Sequence, residues 1–99
     1  MCGGLGPVSN EAHPELIAAI LTHHDKIVAD AGITAEKLNL IHYSSQVVSG
    51  TNYFCKLQID GTDDCVHARI FQGLPHTGGA FEVHGVQGGH KMGSEVAYF

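Results

Sequence analysis

The chain has 99 residues, 43% of them apolar and 15% charged, which is enough for one domain with a single core and too little for two. Ten acidic residues against five basic ones give a net charge of −5. That balance speaks against nucleic acid and anionic membrane as partners, since both select clustered Lys and Arg.

Residues 1–12 are Gly-rich, contain Pro7 and show no periodicity, so they read as a flexible N-terminal arm on a single domain spanning residues 1–99. The opening Met1-Cys2-Gly3-Gly4-Leu5-Gly6 carries neither the basic nor the apolar stretch of a secretion signal, and a cytoplasmic location is expected. Three cysteines cannot all pair internally, which fits a reducing compartment. The apolar run at residues 16–21 is far too short to span a bilayer.

Pro14 suits the first position of a helix, where its missing N–H costs nothing. From there Leu16, Ile17, Ile20, Leu21, His24, Ile27, Val28 and Ala31 recur at helical spacing, and Gly32 reads as the residue that ends the helix. One long helix is expected. The period then changes to two. Residues 40–47 form a first strand and residues 53–60 a second. Asp60-Gly61-Thr62-Asp63-Asp64 is turn chemistry, and residues 65–71 alternate again as a third strand. A four-residue loop at 61–64 pairs Ile59 with Val66, Leu57 with Ala68 and Cys55 with Ile70, which makes one face apolar throughout. Cys55 then points inward and Cys65 outward, so no disulfide joins them. A fourth strand is expected near residues 81–86, and the aromatic end Tyr98-Phe99 reads as docked. The fold class is α+β: one long helix packed on an antiparallel β-sheet of four to five strands.

Eight histidines invite a metal reading, but no Cys-x-x-Cys, no His-Glu-x-x-His and no His pair four apart on the helix is present. They read as surface or edge histidines, and no cofactor is implied. Cys55 belongs to a buried strand, Cys65 to a turn edge and Cys2 to the arm, none beside basic groups that would make a reactive thiolate. Gly3, Gly4 and Gly6 follow no strand and precede no Lys-Ser/Thr, so they form no phosphate loop.

What stays unexplained is a pair of valines, Val47 and Val48, just before a bend at Ser49-Gly50. With alternating strands, that bend, a second bend around Leu74-Pro75 and the arm reach one end of the sheet. An apolar edge rimmed by small residues is a docking surface; the alternative is that the valines end a buried strand.

These residues resemble a known family. Gln46-Val47-Val48-Ser49-Gly50 is similar to the Gln-Val-Val-Ala-Gly signature of cystatins, inhibitors of papain-like cysteine proteases. Asn52-Tyr53-Phe54 and Val66-His67-Ala68-Arg69-Ile70-Phe71-Gln72-Gly73-Leu74-Pro75-His76 resemble the disulfide-free branch of that family, the stefins. The resemblance covers essentially the whole chain. It implies a cystatin-like fold and a protease-binding wedge with three parts: Met1, Cys2, Gly3 and Gly4 in the arm, Gln46, Val47, Val48, Ser49 and Gly50 in the first loop, and Leu74, Pro75 and His76 in the second. Ser49 stands where the family has alanine. Further implied are reversible, competitive inhibition without catalysis, cathepsin-type proteases as partners, and a monomer able to form a domain-swapped dimer. A thiol- or metal-dependent enzyme and a non-inhibitory interaction module on the same scaffold are the competing readings.

Overall fold

The computed structural model describes residues 6, 8–74, 78–96 and 99. Two helical pieces, α1 (Pro14–Thr22) and α2 (His24–Ala31), precede four strands, β1 (Leu38–Val48), β2 (Gly50–Ile59), β3 (Asp64–Gln72) and β4 (Phe81–Lys91). The strands form one antiparallel sheet in chain order, β1-β2-β3-β4. The expected α+β architecture is what the chain adopts. Among the described residues no helix is long and apolar enough to cross a membrane.

The single long helix is interrupted. Pro14 opens α1, as its ring favours, and the His13 side chain accepts a hydrogen bond from Leu16 N–H as the cap. At His23 the backbone leaves helical geometry (φ −101°, ψ 16°) before α2 begins. Thr22 Oγ1 donates back to Ala18 C=O at 2.9 Å, a bond that bends helices, and His24 Nε2 lies 2.7 Å from the Ala35 carbonyl beyond the helix end. Gly32 closes α2 in the left-handed conformation (φ 69°).

The helices cover one face of the sheet. Leu16, Ile20 and Ile27 meet Leu38, Cys55, Leu57, Val66, Ala68, Ile70 and Val83 in one buried cluster. Ile17 and Leu21 stay exposed, so the buried stripe is narrower than the sequence pattern. The β2–β3 register also departs from expectation by two residues. Leu57 faces Val66, Cys55 faces Ala68 and Tyr53 faces Ile70. The turn is shifted by one residue, to 60–63, where Thr62 Oγ1 donates to Ile59 C=O at 2.8 Å and accepts from Asp64 N–H at 3.1 Å. A slip of two keeps every side chain on its face, so the apolar face survives.

The opposite face is covered too. Lys56 is fully buried there, and its ammonium donates to the carbonyls of Lys91 (3.0 Å), Met92 (2.6 Å) and Ser94. Phe99 packs edge-on against Phe54, and Arg69 Nη1 donates to Phe99 C=O at 2.6 Å. Met92, Ser94 and Phe99 therefore lie across this face, while Tyr98 is outside the described residues. Cys65 lies under them, its thiol directed at Met92 Sδ (3.4 Å), while Cys55 sits in the core, and both are free thiols. Burial raises the pKa of each. On the β1 edge, Ser9 and Tyr43 exchange two backbone hydrogen bonds of 2.8 and 2.9 Å.

Candidate functional site

The antiparallel meander sends the β1–β2 and β3–β4 connections to the same end of the sheet. The first is as tight as a hairpin allows. Val47 faces Thr51, Val48 faces Gly50, and Ser49 alone makes the tip. Gly50 has φ +122°, and a Cβ there would stand 2.5 Å from Gln72 C=O and 2.7 Å from Phe71 Cζ. Only glycine fits, and its absent side chain lets the first loop press against the end of β3.

Gln46 is buried, and its Oε1 accepts from Asn52 Nδ2 across the hairpin at 3.3 Å. That bond ties the two strands just below the tip. Val47 is 77% exposed, which is unusual for a valine in a strand. Val48 is half-buried and Ser49 exposed. In the second loop Leu74 is 37% exposed. Gly73 N–H donates to Ala80 C=O at 3.1 Å and Gly79 N–H to Leu74 C=O at 3.2 Å. Met1, Cys2, Gly3, Gly4, Pro75 and His76 lie outside the described residues. The described start of the arm reaches the same neighbourhood, because Gly6 N–H donates to Ser45 C=O at 2.9 Å.

Between the two loops lies an open trough of about 470 Å³, floored by Gly50, Thr51, Gln72 and Gly73 and closed on one side by Glu15 of α1. Its described lining is the backbone of four glycines with the side chains of Glu15, Thr51, Gln72 and Leu74. Among the described residues no nucleophile with a neighbouring base lines it, and no group of three or more His, Cys, Asp or Glu gathers to hold a metal. What this end offers is shape and exposed apolar surface.

Sequence reasoning missed the residues behind the loops. Tyr53 Oη donates to Gln72 Oε1 and receives from His13, both at 3.4 Å. Burial raises the Tyr53 phenol pKa, with smaller contributions from Tyr43, Glu15 and Cys55, so it keeps its proton. These residues come from separate elements, and no spacing pattern links them.

Comparison with known proteins gives the site its family. The Cystatin domain profile matches residues 3–93. The chain is 35% identical over 101 aligned positions to Cystatin-B of Oplegnathus fasciatus, covering all of this chain and 97% of that protein. It is 31% identical to Cystatin-A1 of Sus scrofa over 99 positions, covering 94% of it. A third similar protein, Leukocyte cysteine proteinase inhibitor 1 of Sus scrofa, is 41% identical over 66 positions, or 63% of its length. With its profile match, full-length relatives, helix-on-sheet fold and signature hairpin, the chain belongs to the cystatin family, in its stefin-type branch.

Proposed function

We propose that the protein is a reversible, competitive, tight-binding inhibitor of papain-like cysteine proteases, of the cathepsin type, acting in the cytoplasm. The family is one of inhibitors and not of enzymes, and one relative is named for inhibiting cysteine proteinases. The observation that carries the reading is Val47, a strand valine held in solvent at the hairpin tip, at the sheet end that also presents Leu74. Val47 and Leu74 together give this end an apolar surface that a cleft wall can cover.

In this reading the first loop (Gln46, Val47, Val48, Ser49, Gly50) and the second (Leu74, Pro75, His76) fill one side of a protease cleft. Met1 and Cys2 reach the other side, and the backbone turns away at Gly3 and Gly4. No peptide carbonyl is then presented to the catalytic thiolate, so the cleft is blocked and nothing is cleaved. Burying Val47 contributes roughly 1–2 kcal/mol before ordering costs. The working species is a monomer, and opening of the first hairpin gives a domain-swapped dimer in which the loop is consumed and inhibition lost.

Titration of active papain tests this. Stoichiometric loss of protease activity is expected, recoverable on dilution. Full activity at micromolar excess would leave a non-inhibitory interaction module instead.

A further inference from the structure

The described part of the second loop is held by two backbone hydrogen bonds of its own, from Gly73 N–H to Ala80 C=O and from Gly79 N–H to Leu74 C=O. That part is Gly73, Leu74, Gly78, Gly79 and Ala80, and Gly78 and Gly79 both have positive φ (97° and 64°). Such backbone has many accessible conformations, so ties from outside add to those two bonds in holding it in one. One tie leads to the helix. Gln72 Nε2 donates to Gly79 C=O at 3.4 Å, and Gln72 Oε1 accepts from Tyr53 Oη at 3.4 Å. Tyr53 Oη in turn lies 3.4 Å from His13 Nε2, and His13 Nδ1 accepts from Leu16 N–H at 3.1 Å.

The donors and acceptors in this chain allow one direction only. Because His13 Nδ1 accepts from the helix, the neutral ring carries its proton on Nε2 and donates it to the Tyr53 oxygen. The phenol's one proton is then free for Gln72 Oε1, and the amide's nitrogen points to the loop. Ring packing fixes the middle of the chain. His13 and Tyr53 meet edge to face at 5.2 Å, Tyr43 braces both, and Tyr53 lies 6.3 Å from Phe81, the residue paired with Gln72.

We infer that His13, Tyr53 and Gln72 form a positioning relay, which runs from the cap of the first helix to Gly79 and sets the second loop for docking. The inference rests on the proposed inhibition for its functional meaning and on the hydrogen-bond chain for its structure. Links of 3.4 Å are longer than ordinary hydrogen bonds and individually weak, so the relay adjusts the loop's position and contributes little to global stability.

Two variants cut the relay, and only the first leaves the ring packing whole. Tyr53→Phe removes one oxygen and keeps the ring packing. His13→Asn retains a capping side chain, which is too short to reach Tyr53. Each should speed amide exchange at Gly79 in the free protein by roughly threefold to tenfold, and dissociation from papain by a similar factor. The double variant should be no worse than the more affected single one, because both cut the same chain. Gly79 exchange unchanged in both variants, or effects that add in full, would overturn the relay. If Gly79 exchange responds as expected while the unaltered protein leaves papain active, the relay stands and the inhibitory reading falls. Gln72→Leu, which removes both the Tyr53 link and the Gly79 link, must reproduce the Gly79 effect.

Discussion

His67 stacks face to face on His90, with ring centroids 3.7 Å apart and planes 10° apart. His67 is buried on the tail-covered face of the sheet, its Nε2 has no hydrogen-bond partner among the described atoms, and Lys56 is its neighbour across β2. Lys56 also faces His42 on β1, so three basic side chains cross the sheet in one row. Burial lowers the His67 pKa to about 4, with His90, Lys56 and His42 adding to the shift. The His42 pKa moves the same way, by burial and then by Lys56.

A pH dependence follows from the direction of that shift. Between pH 6.5 and about 4 the unfolded chain binds a proton at this site and the folded chain does not. The stability that the neutral His67 contributes is therefore complete above pH 6.5 and is lost as pH falls toward 4, by up to about 3 kcal/mol. Urea denaturation at pH 7.5 and at pH 4.5 should show the drop, and His67→Leu should shrink it. An unchanged difference in the variant would place the acid sensitivity elsewhere.

Lys56 is held differently, by three carbonyls for its three N–H donors. Lys56→Met keeps the stem's volume and strands those carbonyls. A loss of about 2–4 kcal/mol is expected from chemical denaturation, with faster amide exchange in residues 91–94. A variant as stable as the parent would mean that water reaches the carbonyls.

Gly50→Ala should be costly for a residue at a loop. The added Cβ meets Gln72 C=O and Phe71 at under 3 Å, in a backbone conformation that alanine avoids. A loss of about 1–3 kcal/mol, read as a lower thermal midpoint, is expected together with more dimer on size exclusion, since the strain is relieved by opening the hairpin.

Val47→Asp separates docking from folding. Val47 is 77% exposed, so the thermal midpoint should hardly move. Papain inhibition should weaken by at least tenfold, because a carboxylate enters a contact that excludes water. Equal inhibition by the variant would remove Val47 from the interface.

Much of this was legible in the sequence because it is local. Alternation in residues 53–60 and 65–71 names the face each side chain takes, and Pro14 and Gly32 mark the helical region's ends. The hairpin tip at Ser49 and Gly50 is equally local. What escaped is relational. Lys56 alternates as a solvent-facing residue should, because periodicity reports which face a side chain takes and not what later covers it. The two-residue register difference turns on a Thr62 hydroxyl, and the helix break at His23 accompanies side-chain bonds from Thr22 and His24. The same holds for the site. The signature residues 46–50 announce themselves, whereas His13, Tyr53 and Gln72 meet only after three elements have packed.

The hold on Lys56 also has a meaning for biosynthesis. Its acceptors lie 35 to 38 residues downstream, so a ribosome delivers the cation long before the groups that satisfy it. Until residue 94 is free to fold back, drawing Lys56 out of water would leave a bare ammonium beneath the sheet. Closure of that face thus waits until residues 91–94 have been made, and a fragment that stops short of them cannot complete it. Limited proteolysis makes the difference visible: a 1–90 fragment should be cut within β2 and β3 under conditions that spare the whole chain.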